Sequence, residues 1–423
     1  MVLDRVAPPS FADIEPFNLI KPEMQRVASG LSAFILEHGD QEVCRIEFAF
    51  PAGKWYEPYT GISYFTAKLL AEGTRQKTSS DIQQIIAQHG SFFEVNTGND
   101  QVVLTIYCLS RYLKPMSALM EEMIEFPALS SEEFEKLRIQ TRQNYFLNTD
   151  KTSYLASRGF LSLLFGEQHP YGLALDDAAI DKISLDDVVK FHQHAFHWNQ
   201  ANVFVCGRGE SLATEVKGLL QRKNNAGPAL GKPAYHAEKV IGKFVKIEKA
   251  GAVQSTIKAG FFIPPRTGQD LPAMYMYNEI FGGYFGSRLM QNIREDKGFT
   301  YGIYSSMVHD PHASYWTLQA DVNGDNADAT VREIKVEMKK MREEKVSEEE
   351  LSVVKNYILG SFISSLDTPF TFMDKFKTAY FNSLGENYYE QLMQQLLEVT
   401  SDQILDVAKR HFDPAHLNVV VAG

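Results

Sequence analysis

The chain has 423 residues, 44% hydrophobic and 22% charged, which is an ordinary globular composition. A compact domain usually holds roughly 100–200 residues, so the length predicts two domains, each able to bury a core. Asp and Glu number 53 against 42 Lys and Arg, and the net charge of -11 argues against nucleic acid or an anionic membrane as partner.

The amino-terminal stretch MVLDRVAPPSFADIEPF carries acids and prolines and lacks the apolar core of a signal peptide. No run approaches the ~18 apolar residues of a membrane span. The expected location is cytoplasmic. Cys44, Cys108 and Cys206 lie far apart in apolar runs without CxxC spacing, so they read as buried free thiols and not as a metal site.

Along the chain, Ile46, Phe48 and Phe50 alternate with Glu47 and Ala49, the period of a strand. A helix is predicted over 80–89, and Ser131 reads as the cap before Glu132 and Glu133 in a helical first turn. Residues 184–207 predict a helix, a turn and a buried strand ending in Gly207. The stretch 219–239 is rich in Gly, Pro, Asn and Lys, as linkers are, and divides the chain into 1–222, a linker at 223–239, and 240–423.

Beyond it, Ile257, Ala259, Phe261 and Ile263 alternate as a strand. Residues 287–296 predict a helix that Gly298 stops, with a strand over 299–305. Trp316, Leu318, Ala320 and Val322 form another strand pattern, followed by a helix over 329–345. The mixed-sign run 332–350 reads as a solvated helix face.

The end of the chain, 400–423, aligns without a gap on 184–207 at an offset of 216 residues. Asp186, Phe196, Asn202, Val203, Val205 and Gly207 recur as Asp402, Phe412, Asn418, Val419, Val421 and Gly423. Ser347-Glu348-Glu349 repeats Ser131-Glu132-Glu133 at the same offset. The chain therefore reads as a duplication. Its fold class is α+β, with a mostly antiparallel sheet covered by helices in each half.

Residues 48–74, FAFPAGKWYEPYTGISYFTAKLLAEGT, resemble the insulinase/pitrilysin-type (inverzincin) zinc metallopeptidases, the family of the mitochondrial processing peptidase. Gly53, Glu57, Gly61, Gly73 and Thr74 fit the frame around that family's HxxEH helix, and Ser29-Gly30-Leu31 and His169-Pro170-Tyr171-Gly172 extend it. The resemblance covers essentially the whole chain and implies two homologous halves of the LuxS/processing-peptidase type. In the family, two histidines on one helical face bind zinc, the glutamate between them is the general base, and a later glutamate is the third ligand. Here the histidine positions hold Tyr64 and Lys68, the base position holds Ala67, and the distal position falls near Gln143 and Asn144. None of these can replace its counterpart, so no metal is expected in this chain.

Residues 281–304, FGGYFGSRLMQNIREDKGFTYGIY, resemble the family segment carrying an arginine and a tyrosine seven residues apart, here Arg294 and Tyr301. The resemblance implies that the pair faces the peptidase chamber and stabilises the oxyanion formed at a zinc site on the opposite half. Local chemistry alone would let Arg294 cap its helix and Tyr301 face the core. The same resemblance gives Gly282, Gly283 and Gly286 a role in contacting substrate, although Tyr284 and Phe285 interrupt that loop.

Other histidines read as structural. His192 and His194 point roughly 200° apart on a helix and, with His197, suit a surface helix end. His309 and His312 flank Asp310-Pro311, a turn signal.

The resulting expectation is a non-catalytic subunit without peptidase activity alone. It pairs with a homologous HxxEH chain that holds the zinc, and acts with it on unfolded peptides. The alternatives are an inactive homologue that binds peptides as a homodimer, a structural core-type protein, or a hydrolase with an unrecognised site.

Overall fold

The computed structural model describes residues 19–26, 31–209, 212–221, 227, 231 and 233–423. The amino-terminal stretch 1–17, Ser29, Gly30 and most of 222–232 lie outside the described residues.

The first half opens with β1 (Glu23–Arg26), β2 (Ser32–Glu37) and β3 (Val43–Phe50), then α1 (Ile62–Leu69) and α2 (Ser79–Gln88). Next come β4 (Phe92–Thr97), β5 (Val102–Leu109), α3 (Leu113–Glu125), α4 (Ser131–Thr149), α5 (Thr152–Phe165) and α6 (Asp177–Lys182). It closes with α7 (Leu185–Ala195), β6 (Asn202–Gly207) and α8 (Leu212–Gln221). The strands form one sheet in the order β1-β2-β6-β3-β5-β4, antiparallel except for β2 with β6.

The second half runs β7 (Phe244–Ile247), β8 (Gln254–Phe262), α9 (Leu271–Asn278), β9 (Thr300–Asp310) and β10 (Ala313–Asn323). It continues with α10 (Ala327–Glu343), α11 (Glu348–Ser364), α12 (Pro369–Phe381), α13 (Tyr388–Glu398), α14 (Ser401–His411) and β11 (Asn418–Ala422). Its sheet order is β7-β11-β8-β10-β9, antiparallel except for β7 with β11. The protein is thus α+β with two mostly antiparallel, helix-covered sheets.

The repeat seen in sequence is a repeat of structure. Ser184 caps α7 and Thr400 caps α14, each in a reciprocal capping box, with Asp187 and Gln403 as the returning side chains. A 3₁₀ turn and a buried strand follow in both cases. The other pair of caps is shifted. Ser347 caps α11 as expected, but the cap of α4 is Ser130, and Ser131 is already helical. The offset there is 217 residues, because the serine that accepts from the third helical N–H defines the cap, and two adjacent serines hide which one does.

Two helices cross between the halves. α5 lies on β8 and β11 of the second sheet, where Phe160 and Leu164 pack with Val420. α12 lies on β2 and β6 of the first sheet, where Met373 packs with Phe34, Leu36 and Phe204. A glycine inside a helix normally weakens it, but a Cβ at Gly159 of α5 would stand 2.7 Å from Ile247 and 3.2 Å from Val420. Removing that Cβ lets α5 settle on the second sheet.

Under α12 lies a charged cluster. The Glu47 carboxylate, 4% exposed as a residue, accepts two bonds from Lys377 Nζ at 2.6 and 2.8 Å, and Arg45 stands 3.3 Å away. Arg45 also binds both carboxylate oxygens of Asp374. Burial alone would raise the Asp374 carboxyl, yet the hydrogen bond from Arg45 and the charge of Lys377 hold it below the ordinary carboxylate range.

In the second half α5 lies on β8 and β11 and leaves a cleft open along β10 and β9.

Candidate functional site

The frame of the zinc motif survives as local structure. Glu57 accepts the backbone N–H groups of Gly61 and Ser63, closing the amino end of α1. Burial pushes its carboxyl up to about 7, although both N–H groups and Lys54 pull it down. Gly61 has φ +96, and Gly73 has φ +137 at the closing turn, where Thr74 accepts from the N–H groups of Gln76 and Lys77. In the HPYG segment, the Tyr171 hydroxyl meets both oxygens of Asp100 at 2.9 Å.

Inside that frame the positions are filled by other chemistry. Lys68 Nζ donates to the Val95 carbonyl at 3.1 Å, Ala67 is fully buried, and Tyr64 leans on the same core. On α4 the face turned to the core is Phe134, Leu137 and Thr141, whereas Gln143 and Asn144 are exposed. These donors do not fit zinc: an ammonium, a methyl and two solvent-facing amides offer no anionic or imidazole set. Among the described residues no group of three His, Cys, Asp or Glu converges as a metal site.

The second half differs. The segment predicted as an ordinary helix over 287–296 widens into a π-helix at Met290–Asp296, where the Lys297 N–H reaches back five residues to the Asn292 carbonyl. Wide turns of this kind gather at functional sites. Asn292 donates to Glu333 and Glu337 of α10, and Lys297 stands 3.5 Å from Glu333. The solvated reading of the charged run therefore fails at Glu337, which is 4% exposed. Its charge is turned inward to hold the π-helix that carries Arg294.

Gly298, at φ +64, ends that helix, and β9 begins at Thr300. Ile303 faces Ala320 and Thr300 faces Val322, so Tyr301 and Gly302 together oppose Asp321 in a β-bulge. Bulges re-aim side chains. Thr300 Oγ1 fixes this one by donating to the Asp321 carbonyl at 2.7 Å and accepting the Gly302 N–H at 3.1 Å. Tyr301 is left 93% exposed, not core-facing. Arg294 and Tyr301 then line one cleft of about 680 Å³, together with Gln254 and Asn323.

Gly282, Gly283 and Gly286 each sit close to a neighbouring side chain. A Cβ at Gly282 would stand 2.7 Å from Ser305 Oγ, at Gly283 2.5 Å from the Glu279 carboxyl, and at Gly286 2.7 Å from the Tyr284 ring. Gly282 is buried, and none of the three lines the Arg294 cleft. The residue of this loop that reaches the site is Phe285, 57% exposed, whose ring lies 4.5 Å beneath the Arg294 guanidinium. It had looked like an interruption of a glycine run, and no periodicity or spacing distinguishes it in sequence.

The other histidines stay apart. His192 bonds the Ile124 carbonyl at 2.8 Å while His194 is exposed, as a helix end predicts. His309 is buried against Ser314, and His312 stacks on Trp55 at 3.7 Å across the seam between the halves. Cys44, Cys108 and Cys206 are buried free thiols.

Two family models match the chain and between them span most of it. The model described as insulinase (peptidase family M16) matches residues 33–157, and the one described as peptidase M16 inactive domain matches residues 182–358. The chain belongs to the M16 peptidase family. This M16 homologue is 24% identical to the "non-peptidase homolog YmxG" of Helicobacter pylori, over 86% of this chain and 84% of that one. It is 24% identical to an "uncharacterized zinc protease" of Rickettsia felis, over 96% and 98%. Its fold matches the crystal structure of a peptidase M16 inactive domain from Pseudomonas fluorescens with a TM-score of 0.85 at 23% identity, over 95% and 98% of the two chains. Its sequence contains no HxxEH motif. No helix among its described residues is long and apolar enough to cross a membrane.

Proposed function

We propose that this M16 homologue is the non-catalytic subunit of a heterodimeric zinc metallopeptidase. Its partner is a homologous chain carrying an intact HxxEH motif, and the zinc belongs to that chain. The supporting observation is the convergence of Arg294 and Tyr301 on one cleft, each carried by a backbone irregularity, a π-helix and a β-bulge. Such irregularities carry a local cost and persist where a site uses them.

In this reading the partner contributes the reacting centre, and this chain contributes two fixed donors. As the scissile carbonyl of an unfolded peptide gathers negative charge, the Arg294 guanidinium and Tyr301 hydroxyl donate to that oxygen. Phe285 beneath the guanidinium and Thr300 behind the bulge keep both donors in place before substrate arrives. The amides of Gln254 and Asn323 offer backbone partners to an extended chain lying in the same cleft.

The test is co-expression with the HxxEH homologue of the same genome, followed by hydrolysis of an unstructured peptide. Cleavage by the pair, by neither chain alone, and with a loss of about 10-fold or more in Arg294→Ala supports the proposal. Failure of the chains to associate, or full activity of Arg294→Ala in an active pair, rejects it. The second reading, an inactive homologue that binds peptides or serves a structural role, rests on the missing ligands and on the non-peptidase name of the Helicobacter relative.

A further inference from the structure

The cleft of Arg294 and Tyr301 adjoins a second one of about 620 Å³ along the open face of β8, β10 and β9. It shares Tyr301, Thr300 and Gln254 with the first. Its wall includes Tyr304, 50% exposed, and it contains Lys258.

The duplication shows what is unusual about Lys258. Asn202 of β6 faces Ala49 of β3, and its repeat partner Asn418 of β11 faces Gly260 of β8. Two residues back along each central strand stand Glu47 and Lys258, so they occupy one and the same position in the two sheets. Both sit on the face that the exchanged helix approaches. At Glu47 that helix supplies the counter-charge, because Lys377 of α12 places its ammonium on the carboxylate. At Lys258 the exchanged helix is α5, TSYLASRGFLSLLF, which contains no acid.

Charges withdrawn from water are normally paired. The half-buried Lys258 ammonium has Gln319 Oε1 at 3.2 Å, and among the described residues no carboxylate lies within ion-pair distance of it. Burial lowers its pKa, with no acid acting in the other direction. The acid nearest in the strand pairing is Asp321, two residues from Gln319 on β10, and its carboxylate accepts the Thr256 hydroxyl at 2.5 Å. Lys249 and Asp150, which line a neighbouring cleft together with Gln254 and Asp321, pair with each other at 2.7 Å.

We infer that Lys258 is the anchor of a carboxylate subsite in this cleft, receiving an acidic side chain or the C-terminal carboxylate of an extended peptide bound beside Arg294 and Tyr301. The inference rests on the peptide-binding reading of that cleft and adds a substrate class to it. The protein's net charge of -11 repels acidic peptides in general, so a preference for them requires a local cation.

The experiment measures fluorescence anisotropy of the full chain with one short, unstructured, end-labelled peptide in three forms. The first has no acidic residue and a C-terminal amide. The second is the same peptide with a free C-terminal carboxylate. The third is the amide with one interior glutamate. Wild type is expected to bind one or both carboxylate forms about 10-fold more tightly than the neutral form. Whichever form is preferred identifies the source of the carboxylate. Lys258→Met is expected to bind all three like the neutral form, and Lys258→Arg to keep the preference. The wild-type comparison needs no variant to fold. Equal binding of the three forms by wild type, or a preference that survives in Lys258→Met, overturns the subsite while leaving peptide binding intact. Binding of none of the three overturns both the subsite and the peptide reading beneath it.

Discussion

The Arg294 guanidinium lies over the ring of Phe285, 4.5 Å from its centroid, so an exposed aromatic of one loop holds the partly buried cation of the next helix. In the active pair, Arg294→Ala is expected to lower kcat/KM by ~100- to 1,000-fold, the loss typical of an oxyanion donor. Arg294→Lys is expected to recover little, because a point charge does not reproduce a planar fork. Phe285→Leu is expected to cost only about 2- to 5-fold, in keeping with a partly exposed cation–π contact. Steady-state kinetics of the three variants, with association checked by gel filtration, decides the order.

Thr300 makes a separate prediction. Thr300→Val keeps the side-chain shape but removes the oxygen that holds Gly302 and Asp321 at the bulge. The expected result is a fall in kcat of about 10-fold with KM nearly unchanged, because Tyr301 is displaced from where charge develops. Thr300→Ser restores the oxygen and should restore kcat. A rise in KM alone would show that the bulge only shapes binding.

The cluster under α12 predicts a strong stability asymmetry. Arg45→Met leaves Asp374 and Glu47 facing each other with only Lys377, and should cost about 3–5 kcal/mol in denaturant unfolding. The double variant Glu47→Gln with Lys377→Met removes one charge of each sign and should cost distinctly less than either single change. Additive losses would show that the ion pairs do not act together.

Glu57 predicts a pH dependence. Its folded carboxyl titrates at about 7, above the ordinary range near 4.5, so the folded state holds that proton more tightly than the unfolded state. Its contribution to stability is therefore fully present below about pH 4.5 and declines as pH rises towards 7. Asp374, with its depressed carboxyl, contributes in the opposite sense, above the ordinary carboxylate range. Thermal unfolding from pH 5 to 8 should show less loss on the alkaline side for Glu57→Gln than for wild type. An unchanged slope would place the titrating group elsewhere.

Much was legible in the linear chain because it depends on neighbours a few residues apart. The cap at Ser347 acts within one turn, the alternation in β3 and β10 follows from the pleat, and the repeat at 216 residues is a comparison of strings. The absence of zinc ligands at Tyr64, Ala67 and Lys68 needs only side-chain chemistry. The spacing of Arg294 and Tyr301 was visible too, but not that a π-helix and a bulge would aim them, since the one is tied to α10 through the Asn292 side chain and the other depends on the register with β10. Adjacent serines concealed the cap of α4 for the same reason on a smaller scale.

By itself, then, the sequence determined many of the elements, the duplication and the absence of an HxxEH motif, all set by local hydrogen bonding, side-chain periodicity and residue chemistry. Only the tertiary structure decided that α5 and α12 change places between the halves, that Glu47 is neutralised by a lysine 330 positions away, and that Lys258 meets Gln319 and no acid among the described residues. Those outcomes rest on contacts between residues remote in the chain, and counter-charges across such distances follow from packing, not from pattern.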